Sequence, residues 1–115
     1  MYKVDNYEFG LINVSGESYS RDLIILPDTI ITDWWRLKGH ELCREDLVHL
    51  LKRPIQLLII GTGYNGRMKV PDELTEELES FGIDVIVKDS RNAVELYNQL
   101  VNQRQDLALA LHLTC

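Results

Sequence analysis

The chain of 115 residues has a hydrophobic content of 45%, which predicts a single domain, residues 1–115, with an ordinary core. Its 18 acidic and 12 basic residues give a formal net charge of −6, which argues against general electrostatic binding to nucleic acid or to an anionic membrane. No apolar run approaches the roughly 20 residues of a membrane span, and the first residues lack a signal-peptide pattern. We therefore expect a cytoplasmic protein.

The first third of the chain predicts a small antiparallel β unit. Apolar runs at residues 9–14, 23–26 and 29–32 are separated by Ser-Gly and Pro-Asp turn signals, which favour tight connections between strands. Such a unit needs a cover for its apolar face. We expect the later part of the chain to provide that cover.

A loop follows at residues 33–42 and holds both tryptophans of the chain. Trp34 and Trp35 are adjacent, so on an extended backbone they point to opposite sides, and at least one is expected to pack in the core. Arg36 is a candidate ligand contact. His40 is a candidate for acid–base chemistry because a histidine side chain titrates near neutral pH.

Three helices are predicted in the rest of the chain. The first covers residues 43–52 and has Cys43 at its N-cap position. The second starts at Pro71, and Phe81 is assigned to the apolar face that it buries. Ser90 is the expected N-cap of the third helix.

Three apolar segments at residues 55–60, 83–87 and 107–112 predict strands between and after these helices. The first of them has Leu or Ile at five of its six positions, which is typical of a strand buried on both faces. The strand-helix-strand-helix-strand order predicts parallel strands with right-handed crossovers. The predicted fold is therefore a three-layer α/β domain, with the N-terminal antiparallel β unit packed on a βαβαβ portion.

The carboxyl ends of these strands predict a binding site, because ligands of open α/β sheets bind beyond them. Residues 61–66 read Gly-Thr-Gly-Tyr-Asn-Gly, a literal match to the G-x-G-x-x-G motif of dinucleotide-binding proteins. In those proteins the helix starts inside the motif, whereas here it starts only at Pro71. We therefore expect neither a dinucleotide nor another cofactor.

Two interpretations of the glycine loop remain open, a small anionic ligand held by bare backbone N–H groups and a purely structural turn. The segments 88–90 and 112–115 follow the other strands and are expected at the same edge. The ligand-binding candidates at this edge are Trp35, Arg36, Gly61, Thr62, Gly63, Tyr64, Gly66 and Arg67.

His40, His112 and Cys115 are the candidate catalytic residues. A nucleophilic pair of His112 and Cys115 is disfavoured, because extended residues three positions apart face opposite sides. The spacing of the three residues matches no metal-ligand signature, and the two cysteines of the chain cannot form a complete thiolate zinc site. No metal site is predicted.

Several segments together carry a family resemblance. They are Tyr19 with Arg21 and Asp22, Trp35-Arg36 with Gly39-His40, Glu45-Asp46-Leu47, residues 59–63 with Gly66, Val70-Pro71, Ala93-Val94 with Tyr97-Asn98, and the ending Leu111-His112-Leu113-Thr114-Cys115. In these segments the chain resembles the adipogenesis-associated Mth-domain family, which includes a mitochondrial complex I assembly factor. The resemblance implies a three-layer α/β domain in a family without an established reaction.

The leading hypothesis is a cytoplasmic binding or assembly module that recognises an unidentified protein partner at the edge with the glycine loop. One alternative is an enzyme that acts on a small anionic metabolite and uses His40 or His112 as acid or base. Another alternative is a structural subunit of a larger complex. The sequence does not indicate the oligomeric state.

Overall fold

The computed structural model describes residues 2–114. Their elements are, in chain order, β1 Val4–Glu8, β2 Leu11–Val14, β3 Glu17–Tyr19, β4 Leu23–Ile25, β5 Ile30–Ile31, α1 Val48–Leu51, β6 Leu57–Thr62, α2 Asp72–Ser80, β7 Asp84–Lys88, α3 Ser90–Leu100 and β8 Leu107–His112. A 3-10 turn, Arg44–Leu47, leads directly into α1. No helix in this described part of the chain is long and apolar enough to cross a membrane.

A five-stranded mixed sheet forms the centre of the protein, with the strand order β5-β4-β8-β6-β7. β6 pairs in parallel with both β7 and β8, as the alternation of strands and helices predicted. β4 runs antiparallel to β8. β8 thus lies between one antiparallel and one parallel neighbour, and every residue of it is buried because both faces of the sheet are covered here.

The N-terminal strands are divided between two sheets, which corrects the prediction of one three-stranded meander. β1, β2 and β3 form a separate antiparallel sheet, whereas the hairpin of β4 and β5 extends the larger sheet. β1 escaped prediction because its sequence, Val-Asp-Asn-Tyr-Glu, is mostly polar. All three residues of β4 are buried, so this strand needs cover on both faces. It finds that cover as part of the larger sheet, which is the middle layer of the domain.

Two hydrophobic clusters fill the space on either side of the larger sheet. Along β6, Leu57 and Ile59 enter one cluster, and Leu58 and Ile60 enter the other. α3 and the three-stranded sheet cover the first face, whereas α1, α2 and the loop that carries Trp34 cover the second. The predicted three-layer α/β architecture is therefore confirmed.

Two details of the predicted helices are wrong. Asp89 rather than Ser90 is the N-cap of α3, and its carboxylate accepts a hydrogen bond from the Asn92 amide. Ser90 is fully buried, and its hydroxyl bonds to the ends of two strands instead. Phe81 is 55% exposed because α2 ends before it, and its ring lies 5.9 Å from the guanidinium carbon of Arg44.

Candidate functional site

The antiparallel pairing of β4 with β8 brings a new residue to the predicted edge of the sheet. The carboxyl ends of β6 and β8 meet there, since Thr62 pairs with His112. Leu23, the first residue of β4, pairs with Leu111. The residue before β4, Asp22, therefore lies beside the His112 side chain, although 90 positions separate the two in sequence.

Asp22, Arg36 and His112 form a buried polar cluster. One carboxylate oxygen of Asp22, Oδ2, lies 2.7 Å from Arg36 Nη1 and 2.6 Å from His112 Nδ1. The other oxygen accepts a hydrogen bond of 2.7 Å from the Leu113 amide. The side chains of Arg36 and His112 are each only 7% exposed. The cluster therefore fixes the loop that carries Arg36 to the carboxyl edge of the sheet.

The Asp22 carboxyl is held in its ionised form. Burial alone raises its pKa, but the hydrogen bonds from His112, the Leu113 amide and Arg36 outweigh burial and leave the pKa below its ordinary value. A carboxylate accepts hydrogen bonds only, so we assign the proton between the two side chains to Nδ1 of His112. Arg36 Nη2 lies 3.1 Å from His112 Nδ1. Because this ring nitrogen carries a hydrogen, it cannot also accept a hydrogen bond from Arg36.

The second ring nitrogen of His112, Nε2, is closed to solvent in this conformation. It is buried and has no hydrogen-bond partner within residues 2–114. The ring of His40 is 6.4 Å away between centroids, and His40 itself is exposed. The two histidines are thus brought together, but only His40 is open to a ligand in solution.

Asp46 holds the loop that carries Arg36. This buried carboxylate accepts from the Leu37 amide at 3.0 Å and from the Cys43 amide at 2.8 Å. Its backbone carbonyl accepts from the indole N–H of Trp34 at 2.8 Å. Cys43 is at the N-cap as predicted, and Asp46 reaches back to it from the first turn. The loop is therefore anchored at three points.

Three amides of the glycine loop bond within the protein, which favours the structural turn of the two interpretations left open by the sequence. The Gly63 amide donates to the Ser90 hydroxyl at 2.8 Å, and that hydroxyl donates to the carbonyl of His112. The Tyr64 amide donates to the carbonyl of Thr114, and the Gly66 amide to that of Gly63. The left-handed φ angles of 112° at Gly63 and 69° at Gly66 close the loop onto the sheet edge.

A cleft of about 380 Å³ opens beside the buried cluster. It is lined by Ser20, Arg21, Asp22, Asp33, Trp34, Trp35, Arg36, Leu113 and Thr114. The two tryptophans separate as predicted, because Trp34 is 6% exposed and packs in the core, whereas Trp35 is 77% exposed. The Arg21 guanidinium lies 5.9 Å from the Trp35 ring and pairs with Asp33 at 3.6 Å. The wall of the cleft thus combines an exposed indole with charges of both signs.

A group of aromatic side chains lies across Leu113 from the cleft. Tyr64 contacts Phe9 at 5.7 Å and Tyr7 at 6.0 Å between ring centroids, and Arg91 lies 4.5 Å from its ring. Phe9 is 58% exposed, and the Tyr7 hydroxyl donates to the Leu113 carbonyl at 2.7 Å. This group joins the three-stranded sheet to the carboxyl edge of the larger one.

The Tyr7 hydroxyl is expected to make the free energy of unfolding fall at alkaline pH. Burial raises the pKa of Tyr7 to about 12 from the ordinary value of 10.0. A raised folded-state pKa gives stability that is complete below pH 10 and is lost as the pH rises from about 10 towards 12. Urea unfolding across this range should show a shallower decline for Tyr7→Phe than for the unchanged protein. Because burial also raises the pKa of Tyr97, some decline should remain, but equal slopes would contradict the prediction.

The remaining predicted site residues stay apart from the cluster. Arg67 is exposed on the glycine loop, and Cys115 lies outside the described residues. Within residues 2–114, no group of three or more His, Cys, Asp or Glu side chains is arranged to hold a metal ion. Sequence reasoning did not single out Asp22, Asp46 and Ser90 as site residues. In the sequence they are polar residues inside or next to apolar segments. That feature points to a site only once the pairing of the strands is known.

Comparison with known proteins places the chain in a family. Residues 4–112 match the family model described as protein of unknown function (DUF498/DUF598). The chain belongs to this family. A relative in Danio rerio, NADH dehydrogenase (ubiquinone) 1 alpha subcomplex assembly factor 3, is 31% identical over 102 residues. That match covers 86% of this chain and 57% of the relative, so the chain spans little more than half of that protein.

Solved structures with the same fold match almost the whole length of this chain. The conserved hypothetical protein PH1505 of Pyrococcus horikoshii OT3 matches with a TM-score of 0.85 and 25% identity, covering 98% of this chain and 99% of that one. A Mth938-like domain protein of Bordetella pertussis has a TM-score of 0.69 at 21% identity, covering 97% of this chain and 85% of that one. The resemblance to the Mth-domain family is confirmed by these matches and by the DUF498/DUF598 assignment.

Proposed function

We propose that this DUF498/DUF598 chain is a cytoplasmic binding or assembly module that recognises a partner protein through the cleft beside Trp35. The observation that carries the proposal is the 77% exposure of Trp35 at a cleft of about 380 Å³. Tryptophan and arginine are enriched among the residues that dominate protein interfaces, and both line this cleft. The assembly-factor name of the Danio rerio relative supports a protein partner.

The rigidity of the cleft also supports a binding role. Trp35 stands next to Arg36, whose guanidinium lies 2.7 Å from Asp22 and 5.1 Å from the Trp34 ring centroid. Asp46 fixes the same loop through its bonds to Leu37 and Trp34. A surface that is already ordered loses little conformational entropy when a partner binds, so more of the contact energy becomes affinity.

The same geometry gives less support to an enzyme that acts on a small anion. Gly63, Tyr64 and Gly66 already use their amides within the protein, which leaves fewer donors for an anionic ligand. His112 has one ring nitrogen bonded to Asp22 and the other buried. Turnover of a metabolite that disappears in His40→Ala would favour the enzyme, since the side chain of His40, unlike that of His112, is exposed.

Replacing Trp35 by Ala should weaken binding of the partner without unfolding the protein. A central interface tryptophan contributes about 2 kcal/mol or more, which corresponds to roughly a thirtyfold loss of affinity. The measurement is native mass spectrometry of the protein isolated from its own host, followed by titration of the recovered partner. Leu37→Ala is the matched control, because this side chain is 74% exposed on the same loop but does not line the cleft.

Three results would count against the cleft as the recognition surface. They are a partner that binds Trp35→Ala as tightly as the unchanged protein, an equal loss in Leu37→Ala, and the absence of any partner. Thermal unfolding of both variants should match the unchanged protein, because both side chains are mostly exposed.

A further inference from the structure

A second cleft lies at the seam between the two sheets, and we name it the seam cleft. Tyr2 and residues of β2, β3 and their turn line one side, whereas β5 and the threonines on either side of it line the other. None of these residues lines the cleft at Trp35. The volume of about 300 Å³ is at the lower end of the range for ligand sites, so it suits a small group or a single side chain.

Glu17 faces the seam cleft although it is charged. The register of the small sheet pairs Val14 with Glu17 and Ile12 with Tyr19. Directly paired residues of an antiparallel sheet lie on the same face, and both Val14 and Ile12 are buried in the core. The side chains of Glu17 and Tyr19 therefore lie on the face that the small sheet turns towards the larger one. Because Glu17 is exposed, its carboxylate stands at the open margin of that face.

The negative charge of Glu17 is not neutralised by the wall of the seam cleft. Within residues 2–114, Glu17 is the one charged residue that lines it. Lys3 and Arg21, the cations closest in sequence to the lining, lie outside it, and Arg21 is already paired with Asp33 at 3.6 Å. The Tyr19 hydroxyl donates to Oε2 of Glu17 at 3.3 Å, which leaves the charge and the second carboxylate oxygen available. A cation is therefore the ligand that fits the charge.

The rest of the wall combines rings, an aliphatic surface and hydroxyls. Tyr2, Tyr19 and Ile30 pack against the hydrophobic cluster below the cleft. The face of a tyrosine ring attracts cations, and an aliphatic surface can receive the methylene chain of a lysine. The hydroxyls of Thr29 and Thr32, on the opposite side, are potential hydrogen-bond acceptors. The wall is thus suited to a cationic head group on an apolar chain.

The polar groups favour an ammonium over a guanidinium. An ammonium donates hydrogen bonds in three directions, so it can use one carboxylate oxygen and separate hydroxyls. A guanidinium binds best to both oxygens of a carboxylate, and Tyr19 already occupies one oxygen of Glu17.

We propose that the seam cleft binds the ammonium group of a lysine side chain that a partner protein presents. A shallow groove favours a protein as the source of the amine. This groove shares Tyr19 and Thr32 with the seam cleft, and Arg21 and Asp33 with the cleft at Trp35. One extended segment can therefore reach both clefts. The source of the amine, but not its chemistry, rests on the function proposed for the cleft at Trp35.

The test is an NMR titration with three amino acids whose termini are capped by acetyl and methylamide groups. Capped lysine should shift the amide signals of Glu17, Tyr19 and Thr32. Capped norleucine has the same carbon chain without the ammonium, and it should bind at least about tenfold more weakly because it lacks both the ion pair and the attraction to the rings. Capped arginine should also bind more weakly than capped lysine, since it cannot use both oxygens of Glu17.

Glu17→Gln keeps the size of the side chain, and it should weaken capped lysine about fivefold, the upper range for an exposed ion pair. Glu8→Gln is the matched control, because Glu8 is an exposed acid of the same small sheet that does not line the seam cleft. Tyr2→Leu removes a ring but keeps the backbone carbonyl that accepts from Tyr97, and it should weaken capped lysine about threefold. Trp35→Ala should bind capped lysine normally, so this proposal and the function proposed for the cleft at Trp35 fail separately.

Several results would overturn the proposal. Capped norleucine or capped arginine that binds as tightly as capped lysine would exclude recognition of an ammonium. Equal losses in Glu8→Gln and Glu17→Gln would show only long-range attraction to an acidic protein. Unchanged binding in Glu17→Gln would leave Glu17 as an inward-pointing charge that keeps the edge strand β3 from pairing. Binding of n-butylammonium without binding of capped lysine would assign the site to a small free amine instead of a protein side chain.

Discussion

Asp22→Asn is expected to lower the free energy of unfolding by about 3–5 kcal/mol, the usual cost of removing one partner from a buried ion pair. The substitution leaves Arg36 buried without a counter-charge, and the single oxygen of Asn cannot accept from both the Leu113 amide and His112 Nδ1. Size and shape are conserved, so the loss reports on charge and hydrogen bonding. Urea unfolding at neutral pH, followed by tryptophan fluorescence, measures it.

Asp33→Asn is the matched control for this prediction. Asp33 also pairs with an arginine, but the side chains of Arg21 and Asp33 are 64% and 55% exposed, so the pair contributes about 1 kcal/mol or less. The two variants should also differ in acid. The pKa of Asp22 is lowered in the folded state, so its stabilising effect is present above the ordinary value of 3.8 and lost as the pH falls below it. Equal losses in both variants would contradict a structural role for the cluster.

Gly61→Ala is expected to destabilise the protein by about 3 kcal/mol, at the upper end of the range for overpacking. A Cβ at this position would overlap the side chain of Leu111 and lie 2.8 Å from Ser90 Oγ and 3.1 Å from Ser90 Cα. Ser90 cannot retreat easily, because its hydroxyl joins the Gly63 amide to the His112 carbonyl. Chemical denaturation gives the loss in stability.

The control for Gly61→Ala is Gly39→Ala. A Cβ at Gly39 would meet no atom within 4 Å, and its backbone is outside the left-handed region. The expected change is within about 0.5 kcal/mol, as for other exposed positions. If Gly61→Ala proved equally harmless, the close approach of β6, β8 and α3 at this point would not be the reason for glycine.

The sequence predicts the parallel half of the fold well because its signals are local. The apolar run before the glycine loop and the helical spacing after Pro71 each lie within a dozen residues. The place of the β4 hairpin was not predictable in this way. Its apolar residues fit equally well in a small meander or in the larger sheet, and the choice depends on pairing with β8, far along the chain.

The site shows the same division. Trp35, Arg36 and His112 were recognisable as chemically capable side chains, and the structure gathers them at one edge. Asp22 stood out only among the residues that carry the family resemblance, and its role follows from the antiparallel register that sets it beside His112. The sequence left the role of the glycine loop open for a related reason. Whether an amide is bare depends on acceptors such as Ser90 Oγ, which belong to distant elements.

The central position of β8 has a consequence for the order in which the domain can form during synthesis. Among the described strands it is the last to leave the ribosome, yet it joins β4 to β6. Until it emerges, β4 is paired only with β5, and the edges of β4 and β6 that face β8 are unpaired. The nascent chain therefore carries two unpaired edges of apolar strands, which are prone to aggregate until β8 closes the sheet between them.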